Sequence, residues 1–149
     1  MQSKKLLNYI SLILTLSILV SIYLIYLHYS TSPGLCDINQ TLSCNTVNKS
    51  IYSVFPPDFG IPVSIIGIVF FIILFALSRI VYSNPKKEIK TIKYYFYLSA
   101  VALLFSIYLI IIEAFVLHAY CIACLILDLL IIINLIFAYK LKSQTSSSV

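Results

Sequence analysis

Apolar side chains fall into four long, nearly unbroken runs, at about 6–27, 61–82, 94–117 and 121–139, and the polar residues collect between them. A helix rising 1.5 Å per residue needs about 20 apolar residues to cross a hydrocarbon core of ~30 Å, and each run reaches or approaches that length. A segment in lipid must satisfy its own backbone hydrogen bonds, which leaves helices or closed barrels, and runs of this length predict helices. The expected fold is an all-α integral membrane protein. Its four-transmembrane-helix bundle forms one membrane domain over residues 1–142, followed by a disordered tail at 143–149.

The breaks between the runs carry their own signals. Lys4 and Lys5 precede the first run, a flank that a cleavable leader also shows. The run is long and lacks a small-residue cleavage site, so an uncleaved helix is expected. Residues 28–60 form the one long polar stretch, with Pro33-Gly34 and Pro56-Pro57 as turn signals and Cys36 and Cys44 inside it. Within this stretch Val47, Ile51, Val54 and Phe55 recur at helical spacing, away from Asn48, Lys49 and Ser50. That predicts a short interfacial helix, able to close the bundle as a lid with Cys44 above Cys121; ordinary loop collapse onto the membrane gives the same periodicity. Gly60 and Pro62 open the second span, the proline at a first-turn position where a missing N–H is harmless. Ser83-Asn84-Pro85 ends that span, and Lys86, Lys87, Glu88, Lys90 and Lys93 make a basic connection to the third. Arg79 is expected to snorkel to the interface, and a tight turn at His118–Tyr120 leads into the fourth span.

Composition sharpens this picture. With 61% hydrophobic residues, 10% charged residues and a mean hydropathy of +1.03, the chain is too apolar to cover a soluble domain. A formal charge of +5 raises nucleic acid as a partner, but the lysines lie beside span ends, so lipid is the expected environment and nucleic acid is not. Basic residues flank the N-terminus, the second connection and the end of the fourth span, and an even number of spans puts all three on one side. Both termini are therefore expected in the cytoplasm, in a cell membrane. The 28–60 loop, the His118 turn and all four cysteines then lie at the outer face.

Cys121-Ile122-Ala123-Cys124 is a C-x-x-C whose sulfurs share one face at the start of the fourth helix. Free N–H groups and the positive helix end stabilise a thiolate there, so Cys121 is expected to be the exchange-competent thiol and Cys124 to face the bundle or lipid. Two cysteines in an apolar helix can equally be packing residues. Cys36 and Cys44 sit where a disulfide is allowed. That bond is either a staple worth about 2–3 kcal/mol through loop entropy or an exchangeable bond that accepts electrons from a partner. Two pairs on one face favour exchange, because in series they make an electron relay. Zinc fits less well, since structural sites usually present two close-spaced pairs.

Asp128 lies four residues after Cys124, and Glu113 about one turn before the outer end of the third span. A carboxyl in hydrocarbon is expected as the neutral acid, able to donate a hydrogen bond to a bound carbonyl or to relay a proton. The plain alternative is an interhelical hydrogen bond that holds the bundle. His118 could assist a thiol or simply face water.

Cys36-x7-Cys44, Ser50, the run Phe59-Gly60-Ile61-Pro62-Val63-Ser64 and Cys121-x-x-Cys124 together resemble the vitamin K epoxide reductase family, above all its prokaryotic members. The resemblance covers nearly the whole chain outside the tail. It implies a four-helix bundle around a quinone of menaquinone, ubiquinone or vitamin K type, with Cys121 and Cys124 as the active-site pair and Cys36 and Cys44 as shuttle cysteines. In that scheme a reduced thioredoxin-like protein meets Cys36, Cys44 exchanges with Cys121, and Cys124 passes electrons to the quinone, sustaining disulfide formation. Ser50 matches a loop hydroxyl of the family, and with Phe55, Glu113 and Asp128 it completes the candidate quinone-binding set. Asp128 occupies the position where vertebrate members place a quinone-contacting tyrosine. Many prokaryotic members carry a fused thioredoxin-like domain after a further span, whereas this chain ends soon after the fourth, so a separate partner is expected. The expected activity is that of a quinone-dependent thiol oxidoreductase. The same relay serving reduction of a quinone or its epoxide is the alternative, and a non-enzymatic membrane subunit with a structural disulfide is the rival of another class.

Overall fold

A computed structural model describes residues 2–32, 34–55, 60–83 and 88–146. Pro33, Pro56-Pro57, Phe59, Asn84-Pro85, Lys86, Lys87 and the last three residues of the tail, all named above, lie outside the described residues. The chain forms α1 (Gln2–Tyr29), a short α2 (Cys44–Asn48), α3 (Val63–Ser83), α4 (Glu88–Ile112) and α5 (Ile122–Ser146). A 3-10 turn occupies Ile51–Ser53, and a π-helical turn at Glu113–Leu117 continues α4. Among the described residues, α1, α3, α4 with its π turn, and α5 are long and apolar enough to cross a membrane. The all-α membrane bundle expected from hydropathy is the fold that forms.

The helices overrun the apolar runs. α4 begins at Glu88 rather than near Tyr94, and α5 continues to Ser146 rather than stopping near Tyr139, taking in four residues of the expected disordered tail. Bilayer thickness limits the apolar run but not the helix, and neither extension contains the glycine or proline that would stop it.

α1 packs along α3 and α5, and α4 along α5, while α3 and α4 approach each other less. Small residues lie in these contacts, among them buried Ser17, Ser21, Ser78 and Ser99, and let the backbones come close. Their hydroxyls need partners in lipid: Ser17 donates to the Ile13 carbonyl at 3.0 Å and Ser21 to the Ser17 carbonyl at 2.8 Å. Ile10, Leu14, Leu74, Ile92 and Tyr95 fill the core of one half of the bundle. At that end Lys4 Nζ lies 5.7 Å from the Tyr82 ring, Arg79 lies 5.2 Å from the same ring, and Lys142 Nζ lies 4.4 Å from the Phe96 ring. The basic segments therefore share one end of the bundle, and the cysteines occupy the other.

The single interfacial helix expected over Val47–Phe55 is instead two pieces. Ser43 caps α2, its Oγ accepting the Thr46 N–H at 3.2 Å. Ser50 is extended (φ −68, ψ 159), and its hydroxyl donates back to the Val47 carbonyl at 2.8 Å, which turns the chain out of the helix. As a result Val47 is buried, while Ile51 and Phe55 are 75% and 62% exposed. The segment then closes onto the start of α3: Val54 bridges Pro62, and the Phe55 N–H donates to the Ile61 carbonyl at 2.8 Å. Gly60 makes the turn at φ +62, where a side chain would be strained.

Candidate redox site

The loop after α1 is organised by Asp37. Its carboxylate accepts the N–H groups of Gly34 (2.5 Å) and Asn45 (3.0 Å), the Ser43 hydroxyl (2.8 Å) and the Asn45 side-chain amide. Desolvation pushes the Asp37 carboxyl upward, but these donors outweigh it and hold the group below the ordinary aspartate value of 3.8. Cys36 and Cys44 flank this network and are disulfide-bonded, with Cα atoms 5.7 Å apart. Cys44 is wholly buried at the start of α2, whereas Cys36 is 7% exposed beside Leu35 at 94%, so Cys36 is the less buried of the two. Tyr23 of α1 reaches the same place: its hydroxyl accepts the Leu35 N–H at 3.0 Å and lies 3.9 Å from Cys36 Sγ. α2 hangs from the end of α1, since Asn48 Nδ2 donates to the Leu24 carbonyl at 2.6 Å and His28 Nδ1–H donates to the Asn48 carbonyl at 2.7 Å.

A short parallel bridge ties this loop to the turn before α5. The Tyr120 N–H donates to the Thr41 carbonyl at 2.7 Å and the Ser43 N–H to the Tyr120 carbonyl at 3.1 Å, with Leu42 opposite Tyr120. The register brings Cys44 and Cys121 into one buried apolar cluster with Leu24, Leu27 and Val47. Cys121 caps α5. Its Sγ accepts the Cys124 N–H at 3.2 Å and its carbonyl accepts the Leu125 N–H at 2.9 Å, so the sulfur sits at the positive end of the helix. Cys121 and Cys124 are bonded, with Cα atoms 5.1 Å apart.

The Cys121 N–H has its own acceptor, Glu113 Oε2, at 3.1 Å. Glu113 is 3% exposed and opens the π turn. Its carbonyl accepts the N–H groups of His118 and Ala119, and His118 takes the left-handed conformation at φ 48. A side chain is strained there, and such strain persists where the surroundings fix it, commonly at functional sites. The wide turn and the left-handed residue together fold the end of α4 back over the start of α5.

Beneath the loop lies a cavity of about 360 Å³, walled by α1, α2, the 3-10 turn, α3, α4 with its π turn, and α5. Of the expected site residues, Cys124, Ser50, Phe55, Glu113 and Asp128 line it, whereas Cys36, Cys44 and Cys121 lie outside it. The Ser106 hydroxyl of α4 donates to Asp128. Ser50 contributes its wall position, its hydroxyl being engaged with Val47. Sequence reasoning missed Asn48, Ser64 and Ser106, since serines and asparagines are unremarkable until the fold turns them into an apolar space. Ser64 Oγ is buried with no hydrogen-bond partner among the described residues.

A sequence profile of the vitamin K epoxide reductase family matches residues 8–139, most of the chain. Comparison with curated proteins finds no match. The matched region contains all four cysteines and the greater part of every membrane-crossing helix. Oxidoreductase chemistry in a multi-pass membrane protein follows, and the chain belongs to the vitamin K epoxide reductase family.

Proposed function

We propose that the protein oxidises a thioredoxin-like dithiol protein outside the cell membrane and passes the electrons through its two cysteine pairs to a quinone, supporting disulfide formation. The observation that carries this reading is the bridge between Thr41–Ser43 and Tyr120, which sets buried Cys44 in one cluster with buried Cys121. A partner thiolate attacks Cys36, the less buried of the two, and Cys44 leaves as a thiolate. Cys44 attacks Cys121 and breaks the Cys121–Cys124 bond. The second partner thiol then frees Cys36, which resolves the Cys44–Cys121 bond and restores the loop disulfide. The inner pair is left as a dithiol, two electrons and two protons richer. The Cys124 N–H and the α5 helix end favour Cys121 as the sulfur that exchanges.

The cavity residues fit a quinone. The volume lies at the lower end of ordinary small-molecule sites, about 300–1,000 Å³, and its apolar wall with few polar groups suits a flat ring bearing two oxygens. Cys124 is the member of the pair that lines it. Asp128 and Glu113 would hold protons, Ser64 would donate to a ring oxygen, and Ser50 and Phe55 would close the loop side. A bound quinone supplies the two-electron acceptor, and 30 mV of potential difference is worth about 1.4 kcal/mol for such a pair.

Quinone reduction in detergent by the purified protein, with a reduced thioredoxin-like donor, tests the proposal. Turnover is expected with wild type and is expected to fall to background in Cys124→Ser with the fold retained. Equal activity in all four single cysteine variants would overturn the relay. A purely structural loop disulfide predicts instead that only loss of Cys36 or Cys44 matters, through unfolding of the loop.

A further inference from the structure

Glu113 makes two contacts that no other side chain around the cavity combines. Its Oε2 accepts the Cys121 N–H at 3.1 Å, which fixes it to the inner pair, and its side chain lines the cavity that Cys124 also lines. Among the described residues no hydrogen bond engages Oε1. An orphan N–H at a helix start needs only an acceptor, and a neutral side chain supplies one. A carboxyl buried to 3% exposure, in a cavity lined among the described residues by no lysine, arginine or histidine, is a costly way to meet that need. Its acidity calls for another explanation.

The bookkeeping of the proposed reaction gives one. Closing the Cys121–Cys124 dithiol to a disulfide releases two electrons and two protons, and converting a quinone to its hydroquinone consumes two of each. Across an apolar wall those protons need side chains to carry them. Among the described residues, the groups lining the cavity that can exchange a proton at moderate cost are Glu113, Asp128, Tyr52 and Cys124. Asp128 is held by Ser106 of α4, and Tyr52 belongs to the 3-10 turn and is 41% exposed. Among the described residues, the titratable groups of neighbouring elements that meet Glu113 are Asp128 and Cys124 of α5, which line the same cavity, and Cys121, whose N–H it accepts.

We propose that Glu113 is the proton carrier of the inner pair. It gives its proton to a ring oxygen of a quinone in the cavity and is reprotonated by one shed as Cys121 and Cys124 close to a disulfide, ending as it began. This rests on the quinone reading above, and the test separates the two.

Glu113→Gln keeps an oxygen for the Cys121 N–H and carries no proton, whereas Glu113→Ala removes both. For Glu113→Gln the expected result is an unchanged melting temperature, binding of a menaquinone analogue within about twofold of wild type, and a kcat lower by about 100-fold, the usual size of a lost general acid or base. A second readout needs no quinone. Infrared difference spectra taken as dithiothreitol reduces the inner pair are expected to show a carboxyl band that changes in wild type and is missing in Glu113→Gln. Turnover of Glu113→Gln within about threefold of wild type would overturn the proposal and leave Glu113 as a cap. So would a carboxyl band that ignores reduction of the pair. If wild type reduces no quinone, the proposed function falls and the infrared result alone decides Glu113: a responsive band keeps it as the pair's proton carrier, and a silent one removes it.

Discussion

At the scale of single residues, polar groups decide how the two sulfur pairs are held. Asp37 collects four donors from Gly34, Ser43 and Asn45, and its depressed carboxyl value means that its contribution is complete above the ordinary value of 3.8 and fades as pH falls through the lower folded value. Asp37→Asn is expected to loosen the loop by about 1 kcal/mol, less than the roughly 1.5–3 kcal/mol of bonds to a charged group, because Asp37 is partly open to water. Faster proteolytic nicking of the 28–60 loop measures this, and nicking in the variant should no longer accelerate in strong acid. Ser64→Ala is expected to leave the melting temperature of the quinone-free protein unchanged or slightly raised, since an orphan hydroxyl stabilises nothing. The same change should weaken quinone binding about fivefold, on the order of 1 kcal/mol. Unaltered binding would show that no ring oxygen meets Ser64. The cysteines, Glu113 and Asp128 were legible in the sequence because acids and paired thiols stand out in an apolar chain. Asp37 was not, because an aspartate in a polar loop looks solvated until folding brings residues 34 to 45 around it.

At the scale of elements, α4 and α5 share a seam of buried polar groups. Below the cavity the Tyr95 hydroxyl donates to Asn134 Oδ1 at 2.5 Å, and Asn134 Nδ2 donates to Ser99 Oγ at 3.1 Å, all three buried. Hydrogen bonds of this kind within membranes are worth about 0.6–2 kcal/mol, so Tyr95→Phe should cost about 1 kcal/mol in detergent unfolding with quinone reduction untouched. Lost turnover at unchanged stability would mean that this cluster serves the reaction. Hydropathy alone gave the four long helices, because the bilayer sets the length of each apolar run, though not where each helix ends. It could not give the split between α2 and the 3-10 turn, since a side-chain hydrogen bond from Ser50 breaks a pattern that periodicity reads as continuous. The π turn at Glu113–Leu117 was equally hidden, because it arises from how α4 must return to α5 rather than from any local preference.

At the scale of the whole molecule, the bundle is polarised. Lys4, Arg79 and Lys142 gather at one end around Tyr82 and Phe96, and both disulfides lie at the other. The positive-inside rule expects the lysine-rich end in the cytoplasm, so Lys142→Cys in a background with the native cysteines replaced should resist a membrane-impermeant maleimide in intact cells and react after lysis. Labelling of intact cells would invert the orientation. What joins the two cysteine pairs is the register of the 28–60 loop against Tyr120. The most direct test of that relay is to trap it. In the double variant Cys36→Ser, Cys124→Ser, mild oxidation should link Cys44 to Cys121, seen as a fragment pair that stays joined on a non-reducing gel after cleavage between them. Failure of a folded double variant to form this bond would contradict passage of electrons from the loop pair to the inner pair.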